Sequence, residues 1–296
     1  MSNSKANLVL VHGWNNKFFR GARHTYWWKD SKGIHPLSGV TSVLNVISKD
    51  LVPWGARLAA AEAYGYTPPP TFAADLEAVL QRDGKLTKTG ADELGKKYPE
   101  FKSSCEAHTR KVTHAAGLGT DAHALIEEYI KDCLEINGGI PVHPFSPFMP
   151  HKIVPPHARV LEFAEWAVKR HQETGFTFVK SEFPLADPKL AIAGTPDFIA
   201  EETIDGLWYP IIGDLKTGSG IYDRVYFFQM AAYGYMWMKW MNRKAEPKLV
   251  ILHAPAQDPN QPMNEYWSED WKGDWESFKA ALRLHRTKNN FARPKH

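Results

Sequence analysis

The sequence predicts an α/β (α+β) fold, and three observations carry that expectation. An Asp205-Gly206 dipeptide joins two β-rich runs, Leu190–Ile204 and Leu207–Thr217, the strongest short-range signal for a hairpin. Helical periodicity brackets that hairpin at residues 157–172 and 223–241. An apolar run, Lys248–His253, then reads as a further strand. With Phe176–Ala186 as the first strand, the second half of the chain reads helix, strand, strand, strand, helix, strand.

The remaining elements follow in chain order. Leu8–Val11 and the aromatic stretch Tyr26–Trp28 read as an opening hairpin or edge strands, and Lys29-Asp30-Ser31-Lys32-Gly33 as a turn. Residues 40–64 carry helical periodicity broken at Pro53, and Pro68-Pro69-Pro70 ends that segment. Residues 71–110 look helical and charged, punctuated by Gly84, Gly90 and Pro99, as a helical arch or lid would be. A longer helix is expected from Thr113 to Leu134, stopped by Asn137-Gly138-Gly139, with a loop rich in Pro and His up to Pro156. Near the end, Trp271, Trp275, Phe278 and Leu282 share one face of a helix over Ser268–Arg286, so that helix should pack on the body. Internal repeats and low-complexity stretches are absent. The simplest organisation is residues 1–110 as an N-terminal hairpin and helical region, 111–255 as the core, and 256–296 as a C-terminal helix with a basic tail.

Composition bounds the function without naming it. A chain of 296 residues with 43% hydrophobic and 23% charged residues is ordinary for a globular protein and long enough for a substantial core. A net charge of +3 is too small to argue nucleic-acid binding by itself, although Arg283, Arg286, Lys288, Arg293 and Lys295 cluster near the end. Cys105 and Cys133 are the only cysteines, which excludes a disulfide framework and points to a reducing cytoplasm. Neither a secretory leader nor an apolar run of membrane-spanning length is present. Leu8-Val-Leu-Val-His12-Gly13 imitates the oxyanion strand of α/β-hydrolases, but the Gly-x-Ser-x-Gly elbow is missing. Gly213-Asp-Leu-Lys216-Thr217 lacks the spaced glycines of a phosphate-binding loop.

The hairpin itself carries the chemistry. With Asp205 and Gly206 as its two loop residues, Asp197 falls directly opposite Asp214, a pairing that brings Cβ atoms to about 4.5–5.5 Å. The two-residue period puts Lys216 on the same face. Two carboxylates so close repel, and a divalent cation between them turns repulsion into binding, because hard cations take carboxylate oxygens. The alternative is an exposed face on which Asp214 simply pairs with Lys216. Against it, Gly213 and Pro196 make poor ordinary strand and good close-approach backbone. Glu182 sits within the expected first strand, where a carboxylate among apolar neighbours needs a partner. Gln229 and Tyr233 lie four apart and point from one face of a helix, while Tyr222 and Tyr226 offer rings for bases or for packing.

Gly194-Thr-Pro-Asp197, Asp214-Leu-Lys216-Thr217 and Gln229-Met-Ala-Ala-Tyr233, in that order, resemble the PD-(D/E)XK nucleases, specifically their RecB-like exonuclease branch. Upstream, Gly119-Thr120-Asp-Ala-His123 followed by Leu125-Ile126-Glu127 looks like that branch's helical His motif. Ser42-Val43-Leu44 with Trp54 and Ala59-Ala60-Ala61 is similar to the opening segment of phage and mitochondrial members. The resemblance implies a mixed central β-sheet flanked by helices, a restriction-endonuclease-like core, and metal-dependent cleavage of DNA, commonly from an end.

It also implies roles. Asp197, Asp214, His123 and the backbone carbonyl of Leu215 would hold one or two Mg2+ or Mn2+ ions, with Glu127 steadying His123. Lys216 would act catalytically with the two aspartates, and Glu182 would join the active site. Gln229, Tyr233 and Thr217 would touch the substrate. Several RecB-like nucleases carry an iron–sulfur cluster, which needs four ligands, and two cysteines cannot supply them. The expected partner is DNA, with no membrane and an unidentified recombination or replication protein, in the cytoplasm of a bacterial or phage-infected cell. A structure-specific or single-strand endonuclease is the alternative within the enzymes, and a non-catalytic DNA-binding module with the nuclease fold is the alternative outside them.

Overall fold

Asp205 (φ 52°) and Gly206 (φ 75°) both adopt left-handed backbone, as the tightest class of hairpin loop requires. The computed structural model describes residues 8–21, 24–47, 69–83, 88–146, 158–217, 221, 223–255 and 262–291. The expected break at Pro53, the Trp54 and Ala59-Ala60-Ala61 segment, Tyr222, Arg293 and Lys295 lie outside the described residues. The strands are β1 (Val9–Leu10), β2 (Phe18–Gly21), β3 (Thr25–Asp30), β4 (Gly33–Gly39), β5 (Thr177–Ser181), β6 (Leu185–Asp187), β7 (Ile192–Gly194), β8 (Phe198–Ile204), β9 (Leu207–Lys216), β10 (Lys248–His253) and β11 (Asn264–Trp267). The helices are α1 (Val40–Leu44), α2 (Pro70–Asp83), α3 (Lys88–Lys97), α4 (Pro99–Asn137), α5 (Ala158–Thr174), α6 (Val225–Trp240) and α7 (Trp271–Phe291).

By contacts the chain divides into two units, Met1–Ser48 with Gly119–His296, and Lys49–Leu118. In the larger unit a five-stranded sheet runs β11-β10-β9-β8-β5. Strand β10 is parallel to β9 and the other pairs are antiparallel, so the sheet is mixed, as expected. Strands β8 and β9 pair from Ile204↔Leu207 to Phe198↔Gly213, which keeps Asp197 and Asp214 in register at the next step. A Cβ on Gly213 would overlap the Phe198 ring, so only glycine fits there.

Successive apolar residues of this sheet feed two opposite core layers, which is why its strands read as continuous apolar runs. Ile199, Ile212, Leu249 and Ile251 pack against Met230, Met236 and Trp237 of α6, and Trp275, Phe278 and Leu282 of α7 complete that layer as expected. Phe198, Ile211, Val250 and Leu252 face the other way, against Tyr129 of α4 and Phe163 of α5. Asp197, Asp214 and Lys216 follow the parity of Ile199 and Ile212, and so belong to the α6 side.

The six-stranded second sheet runs β1-β2-β3-β4-β7-β6, and here two expectations need correcting. Phe176–Ala186 is not one strand. It ends as β5 at Ser181, turns at Glu182 in left-handed backbone (φ 46°), and resumes as β6 in the other sheet. Pro184 explains the break, since it lacks an N–H and restricts Phe183 before it. The first arm of the hairpin likewise splits into β7 and β8, in different sheets, with Thr195-Pro196-Asp197 crossing between them. The N-terminal strands, expected as an opening hairpin or edge strands, form an antiparallel meander that joins β7 in parallel through β4.

Helix α4 starts earlier than expected and stops where expected. Gly138 (φ 61°) and Gly139 (φ 91°) turn the chain, and Gly139 N–H returns to the Cys133 carbonyl at 2.9 Å. In the smaller unit Val79, Leu94 and Tyr98 form a separate small core with Phe72, Leu76 and Phe101. Among the described residues, no helix is long and apolar enough to cross a membrane.

Candidate active site

The two sheet changes put Glu182 and Asp197 at the seam between the sheets, side by side. Glu182 N–H donates to the Asp197 carbonyl at 3.0 Å. An irregularity between Phe178 and Lys180 makes that alignment, because one extra residue in β5 shifts its register on β8. Strand β9 brings Asp214 and Lys216 to the same place, α4 brings His123, and α6 brings Gln229 and Tyr233. All seven of these expected residues line one cavity of about 480 Å3.

The contacts within it are specific. Lys216 is ion-paired with Asp214 and its Nζ lies 5.2 Å from the centre of the Tyr226 ring. Asp197 accepts the Leu215 N–H at 2.6 Å and stands 3.7 Å from His123 Nδ1. Gln229 Nε2 donates to the Tyr233 hydroxyl at 2.9 Å. A Cβ on Gly194 would overlap the Tyr233 ring, so this glycine lets the tyrosine lie against the loop that carries Asp197.

Electrostatics separate the groups. Burial, and then the charge of Asp214, raise the Asp197 carboxyl well above its usual value. Burial and the Glu127 carboxylate push Glu182 up to about 7. Burial opposes the Lys216 charge, but Asp214 and Asp197 outweigh it and hold the ammonium above its ordinary value. His123 is lowered, mainly by burial, which keeps its imidazole neutral and able to ligate.

Three expected residues are not among those lining the cavity. Thr217 is half-buried just beyond β9 and does not line the cavity. The Leu215 side chain enters the opposite core layer, and only its backbone turns to the site. Glu127, expected to steady His123, is ion-paired with Lys131 instead. An entire wall of the cavity has no counterpart among the expected residues: His24, Tyr26 and Gly39–Thr41 also line it, and Tyr26 shares a 2.8 Å hydrogen bond with Thr195 beside Asp197. Alternation in Thr25-Tyr-Trp-Trp marks a strand, but no local signal links residue 26 to residue 195.

The donor set suits a hard or borderline divalent cation, with carboxylate oxygens facing each other and a neutral imidazole nearby. Burial first, and then the like charge of Asp214, raise the Asp197 carboxyl, and a bound cation would offset both. Among the described residues no group of three or more His, Cys, Asp or Glu side chains is placed to hold a metal ion as it stands.

Among curated proteins none matches the sequence. The family model of the PD-(D/E)XK nuclease superfamily matches residues 100–283. Members of that superfamily are usually nucleases and generally use divalent metals such as Mg2+. The match spans well over half of the chain and takes in all seven expected residues that line the cavity, so the protein belongs to the PD-(D/E)XK nuclease superfamily.

Proposed function

We propose that the protein is a divalent-metal-dependent deoxyribonuclease of the RecB-like branch that degrades linear DNA from an end. The observation that carries this reading is the meeting of Asp197, Asp214 and Lys216 on one face, inside a cavity that also holds Glu182 and His123. Asp197, Asp214 and His123, with the Leu215 carbonyl, would hold one or two Mg2+ or Mn2+ ions. Such an ion supplies an activated water and neutralises charge on the phosphoryl oxygens.

The chain's own groups do the rest. Lys216 stays protonated and offers a fixed positive charge where the phosphoryl group gains negative charge. The Glu182 carboxylate, pushed up to about 7, would be placed to accept a proton from the water whose oxygen bonds to phosphorus as the P–O bond to the leaving strand breaks. Gln229 and Tyr233 offer an amide and a hydroxyl to the substrate strand. Recombination, repair or DNA degradation in a cytoplasm are the settings that suit this activity.

The test is degradation of end-labelled linear DNA, single- and double-stranded, with Mg2+ or Mn2+, beside an EDTA control, closed circles and the Asp214→Ala protein. Loss of label that needs metal and an end, and that the variant lacks, is the expected result. Cleavage of closed circles would favour an endonuclease. DNA binding without cleavage under either metal would mean a non-catalytic module.

A further inference from the structure

Arg20 and Phe183 connect the acidic cavity to a second pocket. This one is open and mostly apolar, about 660 Å3 in volume, and is walled by Val9, Leu10, Val11, Phe183, Pro184 and Arg20. Its size falls within the range of small-ligand sites. The Arg20 guanidinium donates to His24 at 3.0 Å and comes within 4.0 Å of Glu182. Both of those partners line the acidic cavity. Phe183 directly follows Glu182, and Lys180 Nζ lies 5.6 Å from the centre of its ring. Leaving the carboxylates, one therefore meets a cation first and then, in an apolar hollow, the half-buried Phe183 ring, which also packs edge-on against Trp237 and Trp240.

We propose that this pocket is a nucleotide subsite, taking one unpaired base of the substrate strand beside Phe183 while Arg20 holds the adjoining phosphate. The inference rests on the nuclease reading and deepens it. A nucleic-acid strand alternates an anionic phosphate with a flat apolar base, and the two features occur here side by side and in that order. An apolar peptide side chain would fill the hollow but bring Arg20 no anion beyond the Glu182 carboxylate it already meets at 4.0 Å. A duplex would keep its bases stacked away from the hollow, so the occupant is an unpaired nucleotide next to the bond to be cleaved.

The test measures binding rather than cleavage. A short fluorescent single-stranded oligonucleotide is titrated with the full chain in EDTA, and its bases are removed one position at a time. Removing one particular base should weaken binding by about tenfold, the usual worth of a stacked base. Val9 is 69% exposed, so Val9→Asp leaves the core intact while placing a negative charge at the pocket. In that variant the dependence on position should vanish. Arg20→Ala should weaken binding of every oligonucleotide and flatten the salt dependence by about one phosphate contact, a slope change of about 0.7. Arg20→Lys should recover most of the loss.

A flat scan, or a scan unchanged in Val9→Asp, would overturn the subsite. A flat scan together with self-association that Val9→Asp abolishes would assign the pocket to a second copy of the chain. Because binding is read without metal, an absence of cleavage would count against the nuclease reading alone.

Discussion

Two carboxylates on the same hairpin, one buried and one half-buried, are handled in opposite ways. Near the turn, Glu202 is 1% exposed and fully partnered. Arg170 reaches it through two nitrogens at 2.8 and 3.0 Å, Lys248 at 2.9 Å and Thr174 at 2.9 Å. Burial alone would raise this carboxyl, but those partners outweigh it and hold it below the usual value. At the open end, Asp197 has the Leu215 N–H, a neutral imidazole at 3.7 Å, a second carboxylate opposite and only the one ammonium of Lys216, which is ion-paired with that second carboxylate. Its carboxyl is driven up instead. The first site is closed by the fold's own cations and carries structure. The second is left short of positive charge, which is the condition for binding a cation from outside.

The sharpest way to break this contrast is to exchange which property each site controls. Asp197→Asn should lower single-turnover cleavage by about 10²–10³-fold, the scale of losing one preorganised electrostatic group at the phosphoryl centre, without lowering the urea midpoint, because its carboxyl is raised in the folded chain. Glu202→Gln should do the reverse. Removing the charge between Arg170 and Lys248 should cost about 3 kcal/mol in urea unfolding, at the low end for a broken buried pair because both cations keep partial contact with water. Cleavage per folded molecule should be unchanged. Equal loss of stability in both variants would dissolve the distinction between the two ends.

Acid sharpens the comparison with a smaller effect. The Glu202 carboxyl is lowered in the folded chain, so its contribution to stability is complete above the ordinary value of 4.5 and is lost as pH falls through its lower folded value. Wild-type stability should therefore drop below pH 4.5 by a component that Glu202→Gln lacks. Asp197 has the opposite sign. Its raised folded value means that ionisation opposes folding, and this cost grows as pH rises above the ordinary 3.8. In EDTA, Asp197→Asn should be more stable than wild type at neutral pH, by an amount seen as a higher urea midpoint.

The hairpin end that builds the site was legible for local reasons. An Asp-Gly turn fixes register, register fixes which side chains oppose, and Asp197, Asp214 and Lys216 follow without any tertiary information. Gln229 and Tyr233 followed from helical spacing in the same way. What was not legible was the seam. Phe176–Ala186 is apolar enough to read as one strand, and only Pro184 hints at its break; its continuation is paired by β7, which belongs to the other sheet. The wall formed by His24 and Tyr26 was hidden for the same reason, because Tyr26 and Thr195 are 169 positions apart. Long-range sheet order leaves no periodic trace in either strand.

The smallest predicted effect lies at the turn. Gly206 holds φ 75° beside Asp205 at φ 52°, and nothing would crowd a Cβ there. Gly206→Ala should thus cost only the left-handed backbone penalty, about 1 kcal/mol, read as a lower urea midpoint with an unchanged slope. Cleavage should stay at the wild-type rate, since the ladder from Ile204↔Leu207 to Phe198↔Gly213 fixes the open end independently of the turn residue. A loss of activity larger than the loss of folded protein would mean that the turn, and not the ladder, sets the opposition of Asp197 and Asp214, because a one-residue slip would send their side chains to opposite faces.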